Sequence, residues 1–116
     1  MPAHTQKSSP FDYTGTQLQI LAGHGNESAD PAITLAVDAT LRGMMIRYPL
    51  QSFDKEPVPY PFTVFMSADN SAVTDVELLN SFNGINATLA GRHYIARVQG
   101  QPLNIGVFGA NLAHAV

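Results

Sequence analysis

The chain contains no cysteine, no tryptophan and only six lysines and arginines, and no apolar run reaches the length of a membrane-spanning helix. Each absence removes a class of answer. Without cysteine there is no disulfide framework, no thiolate zinc site and no thiol nucleophile. Without tryptophan, the flat ring on which sugars commonly stack has to come from one of four tyrosines. Six basic side chains against nine acidic ones, a net charge of −3, leave no electrostatic footprint for nucleic acid and no polybasic membrane patch. The opening MPAHTQKSSP lacks the apolar core of a signal peptide, so the expected location is cytoplasmic or virion-borne rather than classically secreted.

Charge of either sign is also scarce. Asp, Glu, Lys and Arg make up 13% of 116 residues, about half the usual share of roughly 25%. A surface this poor in charge resists self-association weakly. Catalytic signatures are missing too. There is no Gly-x-Ser-x-Gly elbow, and Gly23-His24-Gly25 lacks the Lys and the Ser or Thr of a phosphate loop. Gly106 and Gly109 are not followed by a helical pattern and make no dinucleotide fingerprint.

What is present is β periodicity. Thr16 to Ala22 alternates, and Ala32 to Tyr48 is the longest such signal, with Ile33, Leu35, Val37, Ala39 and Leu41 on one face. After Gly43 the apolar phase shifts to Met44, Ile46, Tyr48 and Leu50. A second shift surrounds Gly91, from Ala87 and Leu89 to Tyr94, Ala96 and Val98, which points Tyr94 inward and His93 outward. Side chains alternate faces along a strand, so one apolar face survives a phase change only if the glycine absorbs an extra residue as a bulge or bend. Ala39-Thr40-Leu41-Arg42-Gly43 echoes Ala87-Thr88-Leu89-Ala90-Gly91, an echo too short to establish a duplication. Phe62 to Ser67 and Leu103 to Val107 alternate as well, and Pro49, Pro57, Pro59 and Pro61 mark a connecting loop.

The stretch Val73 to Phe82 reads two ways. Thr74 and Glu77 form a capping box for a short helix over 74–83, whereas Asn83-Gly84 is a strong hairpin turn that would pair it with the strand after it. The all-β surroundings favour the hairpin. The expected fold is therefore a single antiparallel β-sandwich, immunoglobulin-like or jelly-roll-like, of seven or eight short strands over residues 11–116, preceded by a flexible arm over 1–10. Leu89-x-Gly91-x-x-Tyr94-x-Ala96-x-Val98 loosely resembles the tyrosine-corner region of immunoglobulin-like sandwiches. That resemblance implies a Tyr94 hydroxyl tied to the preceding connection.

For chemistry, His24, Glu27 and Asp30 on a glycine-framed loop are the candidate ligands for a divalent ion. No cofactor is expected. Phe11, Tyr13, Phe53, Tyr60 and Phe62 cluster at the arm and the proline loop, where rigid aromatic side chains suit a protein contact. The expectation is a non-catalytic interaction module that self-associates within a larger assembly of capsid-decoration, tail, fibre or surface-layer type. Its partners are copies of itself or other subunits. The rivals are a carbohydrate- or small-ligand-binding β module and a small metal-dependent or acid–base β-barrel enzyme.

Overall fold

The computed structural model describes residues 15–52, 54–88, 91–101, 103–109 and 114–115. The strands are β1 (Thr16–Gln19), β2 (Ile33–Leu35), β3 (Thr40–Arg47), β4 (Phe62–Met66), β5 (Ser71–Leu79), β6 (Asn83–Ala87), β7 (His93–Gly100), β8 (Ile105–Gly109) and β9 (His114–Ala115). They form a five-stranded sheet in the order β1-β3-β5-β7-β9 and a four-stranded sheet in the order β2-β4-β6-β8. Every pairing is parallel. From β2 onward the chain crosses from one sheet to the other after each strand, so it winds as a coil whose successive turns stack in register.

The antiparallel sandwich expected from the sequence is thus overturned, together with its hairpin. β5 pairs with β3 and β7, never with β6, and Asn83-Gly84 lies inside β6 rather than at a turn. The alternative helix over 74–83 is replaced by β5 and the start of β6, and no helix occurs among the described residues. Alternation tells which face a residue takes but not which strand lies beside it, and parallel and antiparallel neighbours share the same period of two.

In-register stacking makes each core position a column. Ile33, Val64, Ile85 and Val107 form one on the four-stranded sheet. Leu41, Val73 and Ile95 form another on the five-stranded sheet, beside Met44, Val76 and Val98. The middle members Val64, Ile85 and Val73 are fully buried. At the β8 end of the first column burial falls away: Val107 is 45% exposed although Ile85 beneath it is 0%.

The phase shift at Gly43 is present, and it recurs at two positions that are not glycine. Gly43 (φ 72°), Asp75 (φ 54°) and Arg97 (φ 54°) occupy equivalent places in β3, β5 and β7. Each left-handed residue bends its strand, so inward positions run Leu41 then Met44 and Ile46, Val73 then Val76 and Leu78, and Ile95 then Val98. The bend divides the five-stranded sheet into a leading panel (40–42, 71–74, 93–96 and β9) and a trailing panel (β1, 44–47, 76–79 and 98–100). Around Gly91 the expectation was wrong. Gly91 (φ 133°) lies in the corner between β6 and β7, and the shift in β7 falls six residues later at Arg97. His93 is therefore buried and Tyr94 turns outward, 41% exposed, so no tyrosine corner forms.

The proline stretch Pro49 to Pro61 is a loop, as its residues dictate. It is held by Gln51, which donates to the Asn80 carbonyl (3.1 Å) and accepts from Val58 N–H (2.5 Å), while Asn80 Nδ2 donates to the Gln51 carbonyl (3.1 Å). In dilute solution, Val64→Ala should lower unfolding free energy by about 2–3 kcal/mol, and Val107→Ala, the same change at the open end of the same column, by less than half of that. Urea unfolding followed by circular dichroism checks the pair, and equal losses would contradict the column.

Candidate functional site

The corner from the four-stranded sheet into the leading panel builds a groove. Asp38 and Asn70 take left-handed backbone there (φ 61° and 58°), a conformation that Asn and Asp tolerate best after glycine. Register stacks Asn70 on Asp38, and Asn70 Nδ2 donates to Asp38 Oδ1 at 2.8 Å. In the next turn Asp69 Oδ1 accepts the Arg92 backbone N–H at 2.6 Å. That hydrogen bond, with help from the Asn70 amide and the nearby Arg92 and His93, holds the Asp69 carboxyl below the usual range. Gly91 packs against Asp69 here; a Cβ on it would stand 3.1 Å from the carboxylate oxygen at a φ that side chains rarely adopt.

Outward positions of the leading panel supply the floor: Thr40, Ala72 and Tyr94 stack in register. With Asp38, Asn70 and Arg92 they line a cavity of about 370 Å³, with Ser71 and His93 beneath. Ser71 Oγ and His93 Nδ1 are 3.0 Å apart, the separation of a nucleophile and its base. Both side chains are buried, and the hydrogen bond satisfies two polar groups at the corner. The accessible rim offers a carboxylate, an amide, a hydroxyl, a guanidinium and a tyrosine ring.

On the same outward face, next to Tyr94, the bend column carries an ion ladder. Arg97 grips Asp75 through two contacts, Nε–Oδ1 at 2.6 Å and Nη2–Oδ2 at 3.1 Å, and Arg42 Nε lies 3.6 Å from Asp75 Oδ2. The hydrogen bond from Arg97 is the main reason that the Asp75 carboxyl is held below its ordinary value, and the charges of Arg97 and Arg42 add to it. The same contact raises Arg97.

The residues proposed from sequence fall elsewhere. His24 stands edge-on to Tyr60, ring centres 5.5 Å apart, and Glu27 Oε2 accepts from Asn83 Nδ2 at 3.0 Å. Asp30 is exposed and joins neither. Among the described residues, no group of three His, Asp or Glu side chains converges in a way that could hold a metal ion. The loop packs on the proline segment: Gly25 N–H donates to the Pro59 carbonyl at 2.8 Å, and Gly23 abuts Pro61.

Tyr60 is fully buried, packed edge-on against Tyr48 at 4.6 Å, so it is a core residue and not an exposed contact. Burial raises both phenols. Phe62 is half-buried and stacks on exposed Phe108, ring centres 6.2 Å apart. Phe11, Tyr13 and Phe53 lie outside the described residues, as does the arm over 1–10.

The groove residues Asp38, Asn70, Arg92 and Tyr94 were not grouped by sequence reasoning. The signal that would have grouped them is their common offset of two or fewer residues from the stacked positions Thr40, Ala72 and Tyr94. No protein-family model matches the chain, and neither a curated protein nor a solved structure is significantly similar to it.

Because the Asp75 carboxyl titrates lower in the folded chain than in the unfolded one, its contribution to stability is complete above the unfolded value near 4 and is lost as pH falls through the folded one. Asp75→Asn should therefore be less stable than the parent at neutral pH, and the gap should close in strong acid. Thermal melts of the two chains across that range make the comparison, and a gap independent of pH would contradict it.

Proposed function

We propose that this chain is a non-catalytic structural module that acts by self-association, as a segment of a larger protein assembly. The observation that carries the reading is the open last turn. Val107 continues a column whose inner members are fully enclosed, yet is itself 45% exposed. Among the described residues, β8 has a strand on one edge only. Coiled repeats expose a fresh hydrophobic face and a row of backbone donors and acceptors wherever stacking stops, and something has to cover them. The scarcity of charge supports the same reading, because little on this surface opposes contact between copies.

Light scattering over a concentration series tests it. The mass should rise above that of one chain in the micromolar range, and Val107→Lys should return it to that of a monomer with the β-sheet circular dichroism intact. A strict monomer at every concentration would overturn the reading.

One observation favours a second reading, a module that binds a carbohydrate or similar hydroxylated ligand. Tyr94 presents an exposed ring in a groove rimmed by Asp38, Thr40, Asn70 and Arg92. An aromatic face beside paired donors and acceptors suits a ligand with apolar ring faces and hydroxyl edges. On a glycan array, binding that is present in the parent and absent in Tyr94→Ala would establish it, and an array blank for both would dismiss it.

A further inference from the structure

We propose that copies join head to tail, the β8–β9 end of one docking on the β1–β2 end of the next, so that the coil runs on across the joint. This rests on the self-association reading above and specifies its geometry.

The two ends of the five-stranded sheet are stepped. At one end β1 lies along Met44–Arg47 in the trailing panel, and no described strand lies along the outer side of Thr40–Arg42 in the leading panel. At the other end β9 lies along Tyr94 and Ile95 in the leading panel, and no described strand lies along the outer side of Val98–Gly100 in the trailing panel. The steps have opposite sense. Each is one strand spacing deep, about 4.8 Å.

A second copy placed above the first, in the same orientation, fills both gaps at once. Its β1 falls beside Val98–Gly100, and β9 of the first copy falls beside its Thr40–Arg42. On the four-stranded sheet the outer edge of β8 meets the outer edge of β2 in the same placement. All three contacts are parallel, as is every pair within the chain. The winding order is kept as well, since a leading-panel strand such as β9 is followed in each inner turn by a trailing-panel one, the place that β1 of the next copy takes.

Side chains follow the backbone. Val107 comes over Ile33 and extends their column, closing the exposed end. Leu18, 37% exposed at the other end, stacks inside on Ile46, in the column that continues through Leu78 to Gly100. At the joint Leu18 of the next copy follows Gly100, which offers no side chain of its own. A contact between unlike ends that advances each copy along the coil axis generates an open-ended filament, whereas a pairing of two like ends stops at a dimer.

The test uses two full-length variants that damage opposite ends, Leu18→Lys and Val107→Lys. Both positions are partly exposed, and circular dichroism confirms that each variant keeps its sheet. If either loses it, Leu18→Ser and Val107→Ser replace them. The parent should form a series of species that lengthens with concentration. Each variant alone should be monomeric, and an equimolar mixture should double the mass to a one-to-one heterodimer, because one retains an intact head and the other an intact tail. A parent that stops at a closed dimer, a variant that associates like the parent, or a mixture that stays monomeric overturns the head-to-tail joint. A parent that is monomeric throughout refutes self-association itself.

Discussion

Stacking of equivalent residues at one strand spacing is the constraint from which the rest of this structure follows. Parallel strands in register place like positions above one another about 4.8 Å apart, so each turn of the coil encloses its neighbour's core residues and is enclosed in return. Val64 and Ile85 owe their complete burial to strands on both sides. The same rule accounts for the polar positions. Asn70 can reach Asp38 and Arg97 can reach Asp75 because each pair shares a place in successive turns.

The bend column shows how this constraint overrides local preference. Gly43 accepts a positive φ at no steric cost, and Asp75 accepts it at a small one. Arg97 has no such excuse as a residue type. Its conformation is imposed by the turn beneath it, whose bent strand it must follow to keep Ile95 and Val98 inside, and its guanidinium is met by the carboxylate already standing in the column. Propensity at one residue is worth about a kilocalorie per mole, and the burial of a side chain such as Ile95 is worth more.

The coil was hidden in the sequence for a physical reason. Met44 pairs with Val76, 32 residues later, but Val76 pairs with Val98 after only 22. The proline segment between Tyr48 and Pro61 lengthens one turn and destroys the fixed period by which repeats are recognised. The echo that was visible, Ala39–Gly43 against Ala87–Gly91, sets Gly43 within β3 against Gly91 outside any strand. Likewise the pairing of Ser71 with His93, and the setting of Asp69 beside Gly91, depend on which turn follows which. Neither is written in the local spacing of those residues.

Composition and alternation by themselves determined that this chain is all β, that Gly43 marks a change of phase, that 49–61 is a loop, and that Ile46 and Val64 belong inside. Those properties depend on a strand's two faces, and a strand carries its faces with it. Only the tertiary structure decided that neighbours run parallel, that His93 is inside and Tyr94 outside, that Tyr60 is core, and that His24, Glu27 and Asp30 stay apart. Those properties depend on the edges of strands and on the lengths of the segments between them, and an edge acquires its partner only when the chain has wound back upon itself.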